Sequence, residues 1–180
     1  MKELSLHITD IVQNSIVAGA SVVGIIITED TEKNFLEIII EDNGKGMSDE
    51  LVKRVADPFT TSRTTRKVGL GIPLLKNAAE MTGGSLVIDS TLGVGTTIKA
   101  TFVHDHIDRQ PLGDIVGTVL QSVVSHEEID FIYKHSINGK EFMLDTKQIK
   151  EVLGGVSFSE PEVYMWIKGY LEEGENDILN

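Results

Sequence analysis

The stretch FLEIIIEDNGKGM (35–47) runs a set of bulky apolar residues straight into a carboxylate, an amide and two glycines. Phe35, Leu36, Ile38, Ile39 and Ile40 have the aromatic and β-branched content of a strand. Asp42-Asn43-Gly44-Lys45-Gly46 follows at once, and the glycines permit a sharp turn and a close approach by a neighbouring group. Taken alone, the junction reads equally well as a binding turn or as an ordinary Asn-Gly turn after a strand. The alternating acids and distal glutamate of a calcium loop are missing.

Working outward, SVVGIIIT (21–28) is a second β-rich run, joined to the first by Glu29–Asn34 as in a hairpin. Upstream, Leu4, Ile8, Ile11, Val12, Ser15 and Ile16 recur at helical spacing, and Gly19 supplies a stop. Downstream, a helix is predicted from about Pro73 to Met81, ending at Gly83-Gly84. SLVIDS (85–90) and TTIKATFV (96–103) then read as a pair of strands around Thr91–Gly95. Residues 1–103 are expected to form one domain and 104–180 an acidic extension or small subdomain with an αββα pattern. In that extension PLGDIVGTVLQSVV (111–124) has helical periodicity, and EIDFIYKHSI (128–137) and KEFMLD (140–145) flank the hairpin signal Asn138-Gly139. A helix from Thr146 to Leu153 stops at Gly154-Gly155, and Ser159 with Glu162 forms a capping box opening a last helix through Trp166.

Composition limits the function classes. With 180 residues and 41% apolar content the chain buries a proper core, and it contains no cysteine, which excludes disulfides, thiolate metal sites and cysteine nucleophiles. No run of 18 apolar residues occurs and Met1 is followed by a polar, acidic start, so a cytoplasmic protein with no membrane contact is expected. Residues 1–103 carry 10 basic and 13 acidic side chains, and 104–180 carry 6 and 15. That balance argues against nucleic acid as a partner, since such binding neutralises phosphates. Lys53, Arg54, Arg63, Arg66 and Lys67 form the exception, a basic run bordering a glycine-rich turn and suited to cover a polyphosphate.

Three further features carry chemistry. Asp10 and Asn14 are four residues apart and project from one helix face: a carboxylate can orient or deprotonate a nucleophile, and an amide oxygen is a hard ligand for Mg²⁺. Asp42, at the end of a strand, can accept the exocyclic amine of adenine. Gly69-Leu70-Gly71 leads into a helix whose N-terminal amides, beside the basic run, suit an anion. Neither a dinucleotide-binding fingerprint nor GxxxxGK[ST] is present.

In their fixed order these segments resemble the ATPase superfamily shared by gyrase, heat-shock chaperones, histidine kinases and mismatch-repair proteins, the GHKL type. DIVQNSIVAGA (10–20) resembles its N box, DNGKGM (42–47) its first glycine box and DPFTTSR (57–63) the phenylalanine box of histidine kinases. KVGLGIPLLK (67–76) and GVGTT (93–97) resemble its later glycine boxes. The resemblance implies a two-layer α/β sandwich, a mixed sheet backed by helices, that holds ATP and Mg²⁺. It assigns Asn14 to the metal, Asp42 to the adenine amine, Gly44 and Gly46 to the base pocket and Thr96 to a place beside adenine. Thr60, Thr61, Gly69, Leu70 and Gly71 fall to the phosphates and their lid, and Asp10 falls where many relatives carry a glutamate base. A phosphoacceptor hairpin ahead of Asp10 is not expected, so the style is that of the anti-sigma-factor serine kinases, which phosphorylate a separate protein. An ATP-gated interaction switch, or a nucleotide-binding scaffold without chemistry, stays open beside a kinase acting in trans, as does a homodimer.

The histidines read more plainly. His7 shares a helix face with Asp10 and is either a tuner of that carboxylate or an ordinary semi-buried helix residue. SHEEI (125–129) resembles a phosphoacceptor box only superficially, and His104 with His106 reads as a solvated turn rather than a metal motif.

Overall fold

The computed structural model describes residues 2–57 and 70–180. In chain order the elements are α1 Leu4–Val17, β1 Val22–Asp30, β2 Phe35–Asp42, α2 Asp49–Val55, α3 Gly71–Glu80 and β3 Ser85–Thr91. They continue as β4 Gly95–Val103, α4 Ile115–Ser125, β5 Asp130–Ile137, β6 Lys140–Asp145, α5 Thr146–Leu153 and α6 Pro161–Leu179. These strands make one sheet in the order β3-β4-β2-β1-β5-β6, antiparallel except for the parallel β1–β5 pair. The strands beyond residue 104 therefore continue the sheet that the first hundred residues begin.

Period-two burial orients the sheet. Along β2, Leu36, Ile38 and Ile40 are buried while Glu37, Ile39 and Glu41 face the other way. Against the buried face stands a row of helices in which α3 packs on α1, α1 on α4 and α4 on α6. Leu4, Ile8, Ile11 and Val12 of α1 meet Val23, Ile25 and Ile27 of β1 and the β2 triad in one continuous core. Each such side chain contributes about 1.5–3 kcal/mol by leaving water, and truncating Ile38 to Ala would cost about 2–5 kcal/mol through the cavity left behind. The architecture is a two-layer α/β sandwich with a mixed sheet, as the sequence led us to expect.

Element boundaries differ in three places, each for a physical reason. Helix α2 was not foreseen: it is short and buries only Val55 fully, so it carries no apolar periodicity. Its terminal signals are nonetheless in order, with the Ser48 side chain accepting from Leu51 N–H, acids in the first turn and Lys53 and Arg54 in the last. Helix α3 begins at Gly71, so Pro73 sits inside its first turn rather than at its start. At α6 the Ser159 capping box does not form. Glu160 is the N-cap residue, Pro161 opens the helix, and the Ser159 hydroxyl pairs with that of Ser157 at 2.8 Å. A proline lacks the N–H that a first-turn position leaves unpaired anyway, which fixes the start there. The helix runs past Trp166 to Leu179 because Ile167, Leu171, Gly174 and Ile178 form a buried stripe through the acidic tail. A Cβ on Gly174 would overlap the Phe142 ring, so the glycine is what lets α6 close onto β6.

Candidate functional site

The site grows from the C-terminal end of α1. Ser15 lies on the buried stripe of that helix, and its hydroxyl donates to Asp42 Oδ2 at 2.6 Å. The other carboxylate oxygen, Oδ1, accepts the Gly44 N–H at 2.8 Å. The turn after β2 is tied down on both sides. Lys45 N–H donates to the Ala18 carbonyl at 2.9 Å, and Asn43 Oδ1 accepts the Ser21 and Val22 N–H groups at 2.8 and 2.9 Å. With both oxygens held, Asp42 presents its remaining lone pairs in a fixed direction, the condition for reading a specific amine donor.

The β3–β4 hairpin closes the opposite side of the turn. Gly46 has φ +70°, and a Cβ there would run into the Thr91 carbonyl; a Cβ on Gly95 would run into the carbonyl of Asp42. These two positions need glycine because backbone meets backbone. Met47 N–H donates to Ser90 Oγ at 2.8 Å, and Ser90 Oγ lies 2.8 Å from Thr96 Oγ1. Thr96 is the cross-strand partner of Asp42. From the other direction the first residue of α3 arrives against α1: a Cβ on Gly71 would be 3.2 Å from Asp10 Cβ and 3.9 Å from Asn14 Nδ2. The Asp10 and Asn14 side chains make no hydrogen bond among the described residues, which leaves a carboxylate and an amide, both half-buried, beside that helix start. Burial pushes the Asp10 carboxyl above its usual range, opposed by the charge of nearby His7.

Asp10, Asn14, Asp42, Gly44, Gly46, Gly71 and Thr96 are thus brought to one end of the sheet and its overlying helices. Leu70 is exposed and is the N-cap residue of α3. Thr60, Thr61 and Gly69 lie outside the described residues, as do Arg63, Arg66 and Lys67 of the basic run. The sequence places Ser15 on the helical stripe of α1 but assigns neither it nor Ser90 to the site. The available signal was a serine at a core position of a helical stripe, and Ser15 is buried to 3% exposure.

His7 is buried; its Nε2 lies 3.1 Å from Gln110 Oε1, and Nδ1 has no hydrogen-bond partner among the described residues. Burial lowers its pKa, against the bond to Gln110. His104 Nε2 sits 2.9 Å from Glu29 Oε1, and His126 is the C-cap residue of α4. A second buried polar cluster occupies the far end of β1. His135 Nε2 donates to Glu29 Oε2 at 2.6 Å and Nδ1 to Glu175 Oε2 at 2.7 Å, while the Tyr133 hydroxyl donates to Glu175 Oε1. Burial works to lower the His135 pKa, but the bonds to Glu175 and Glu29 outweigh it and raise the group to about 9.

Residues 2–106 match the family described as Histidine kinase-, DNA gyrase B-, and HSP90-like ATPase. Two proteins of Caulobacter vibrioides are similar over this region. "Histidine protein kinase DivJ" is 38% identical over 68 residues, 36% of this chain and 11% of that protein. "Non-motile and phage-resistance protein" is 33% identical over 105 residues, 56% of this chain and 12% of that one. The chain thus spans a small fraction of those relatives' length. Among solved structures, the Aquifex aeolicus MutL ATPase domain complexed with ADP superposes with a TM-score of 0.53 at 16% identity, covering 86% of this chain and 70% of that one. A span of 86% does not fit within residues 2–106, so the fold likeness reaches into the C-terminal strands and helices.

Proposed function

The chain belongs to the histidine kinase-, DNA gyrase B- and HSP90-like ATPase family, and from that membership we propose that it binds Mg-ATP and acts as a cytoplasmic signalling protein kinase on a separate protein. The observation that carries the nucleotide reading is the doubly anchored Asp42 carboxylate, set between the end of α1 and the β3–β4 hairpin. Asp42 accepts the adenine amine, with Gly44, Gly46 and Thr96 around the base. We assign Asn14, Leu70 and Gly71 to the phosphates, and the family resemblance adds Thr60, Thr61 and Gly69, which lie outside the described residues.

The donor set beside α3 fits a magnesium ion: an amide oxygen and a carboxylate are hard ligands, and neither is engaged elsewhere among the described residues. Asn14 would hold the ion, whose contribution when bound is to neutralise phosphate charge. Asp10 receives the proton of the acceptor group as that group attacks the γ-phosphorus and ADP departs. Burial raises the proton affinity of Asp10 in the free chain, while its side chain stays one methylene shorter than the glutamate that many relatives carry there.

That shorter reach also favours a second reading, an ATP-gated switch in which nucleotide changes partner affinity without phosphoryl transfer. Incubating purified protein with γ-labelled ATP and Mg²⁺, and separating free phosphate from labelled protein, distinguishes the two. Label on the chain or on an added partner supports the kinase, and its acid stability separates a serine from a histidine acceptor. ATP bound but unconsumed with every partner tried contradicts the kinase and leaves the switch. Residues 104–180 we assign to partner binding and, where it occurs, to self-association.

A further inference from the structure

At the edge of the sheet farthest from β3, the helices α5 and α6 leave an open groove of about 600 Å³. Met143, Leu144, Ile149, Val152, Trp166 and Tyr170 line it. Two of these are strongly exposed for their type, Val152 at 87% and Trp166 at 55%, while Met143 contributes its backbone. Trp166 and Tyr170 stack at 5.4 Å with 13° between their planes, and the Tyr170 hydroxyl donates to the Met143 carbonyl at 3.1 Å. The aromatic wall is therefore held in place rather than loosely projecting. A rigid aromatic anchor with leucine, isoleucine and valine around it has the composition of an interface core, not of ordinary surface.

We propose that this groove is a docking site for a cationic amphipathic helix of a partner protein. Glu162, Trp166, Tyr170, Glu173 and Asp177 share one exposed face of α6, so the aromatic pair is flanked by acids at both ends of its own stripe. Within α6 there are five acidic side chains and a single base, Lys168. A second copy of this chain would set that acidic stripe against itself, whereas lysine or arginine beside the apolar contacts meets the carboxylates and the faces of the two rings. The edge of β6 does not invite an added strand at this point, because Tyr170 already occupies the Met143 carbonyl. Recognition through side chains from a helix at i, i+3, i+4 and i+7 fits a groove between two helices. The proposal stands whether or not the nucleotide reading holds, since no residue of the groove belongs to the Asp42 site.

Trp166 is the sole tryptophan, so its emission reports the groove directly. The probe is a synthetic helix-forming peptide of leucine and lysine with the leucines at helical spacing, titrated into the full chain without nucleotide. The expected result is a saturable blue shift that weakens with added salt and is absent when glutamate replaces lysine or the order is scrambled. Val152→Ser, at an exposed position that leaves the core untouched, weakens binding about tenfold, and Leu179→Ser outside the groove leaves it unchanged. No saturable shift, equal binding of the scrambled peptide, or an unaffected Val152→Ser variant overturns the proposal. So does sedimentation as a dimer with Trp166 already shielded, which would make a second copy the occupant.

Discussion

Replacing His135 by Gln removes the buried imidazolium that bridges the partly buried carboxylates of Glu29 and Glu175, and keeps a hydrogen-bonding side chain of similar size. His135 is only 2% exposed, and its pKa is raised from the ordinary 6.5 to about 9 by Glu175 and Glu29. At roughly 1.4 kcal/mol per pKa unit, that corresponds to about 3 kcal/mol, in line with the 3–5 kcal/mol typical of breaking a buried pair. The sign fixes the pH window. A group whose folded pKa lies above its unfolded value stabilises fully below the unfolded value, and the contribution is lost as pH rises through the folded one. The wild-type protein should hold the whole amount below about pH 6.5, roughly 2 kcal/mol of it near pH 7.5, and none above about pH 9. Glu29, lowered because the His135 and His104 bonds outweigh its burial, belongs to the same interaction and is counted once. Urea denaturation followed by circular dichroism at about pH 6, 7.5, 9 and 10 should show the two proteins converging at the alkaline end. Stabilities that differ by less than about 1 kcal/mol near pH 6, or a gap that persists unchanged at about pH 10, would show that the two glutamates do not hold His135 charged.

Other outcomes follow from single contacts. Ser15→Ala removes the hydroxyl that holds Asp42 Oδ2 and should weaken ATP roughly fivefold by calorimetry while the protein remains folded, since one hydrogen bond is worth about 1 kcal/mol. Gly46→Ala meets both a left-handed backbone and the Thr91 carbonyl, so a loss of at least about 2 kcal/mol is expected, read as a fall of about 4–8 °C in Tm. Asp10→Asn should leave ATP affinity within about twofold while lowering phosphoryl transfer by roughly 10²-fold or more, and retained transfer would remove Asp10 as the base.

Much of this was legible because the site is built from short local signals. The run from Phe35 to Gly46 announces a strand and a turn, and the clash that makes Gly46 and Gly95 obligatory is what places glycines there. The helical spacing of Leu4, Ile8, Ile11 and Val12 and the Asn138-Gly139 turn, with φ of 51° and 88°, are equally local. What the sequence hides is pairing across distance. Nothing in residues 130–137 says that they lie parallel to β1, because parallel pairing depends on the path of the whole connection. For the same reason the contacts of His135 with Glu29, 106 positions away, and with Glu175 could not be read. Ser15 looked like filler in an apolar stripe until Asp42 appeared beside it. The Ser159 capping box failed because a stronger local preference, Pro161 at the first helical position, competed with it.

We propose that Asp42, held by Ser15 and Gly44, reads the adenine of bound nucleotide. Isothermal titration of Mg-ATP into the wild-type protein and into Asp42→Asn tests it most directly. Saturable binding to the wild type and affinity about 10- to 100-fold weaker for the variant are expected, because the amine loses a charged acceptor and can meet a donor. Absence of binding to the wild type, or equal affinity for both proteins, would contradict it.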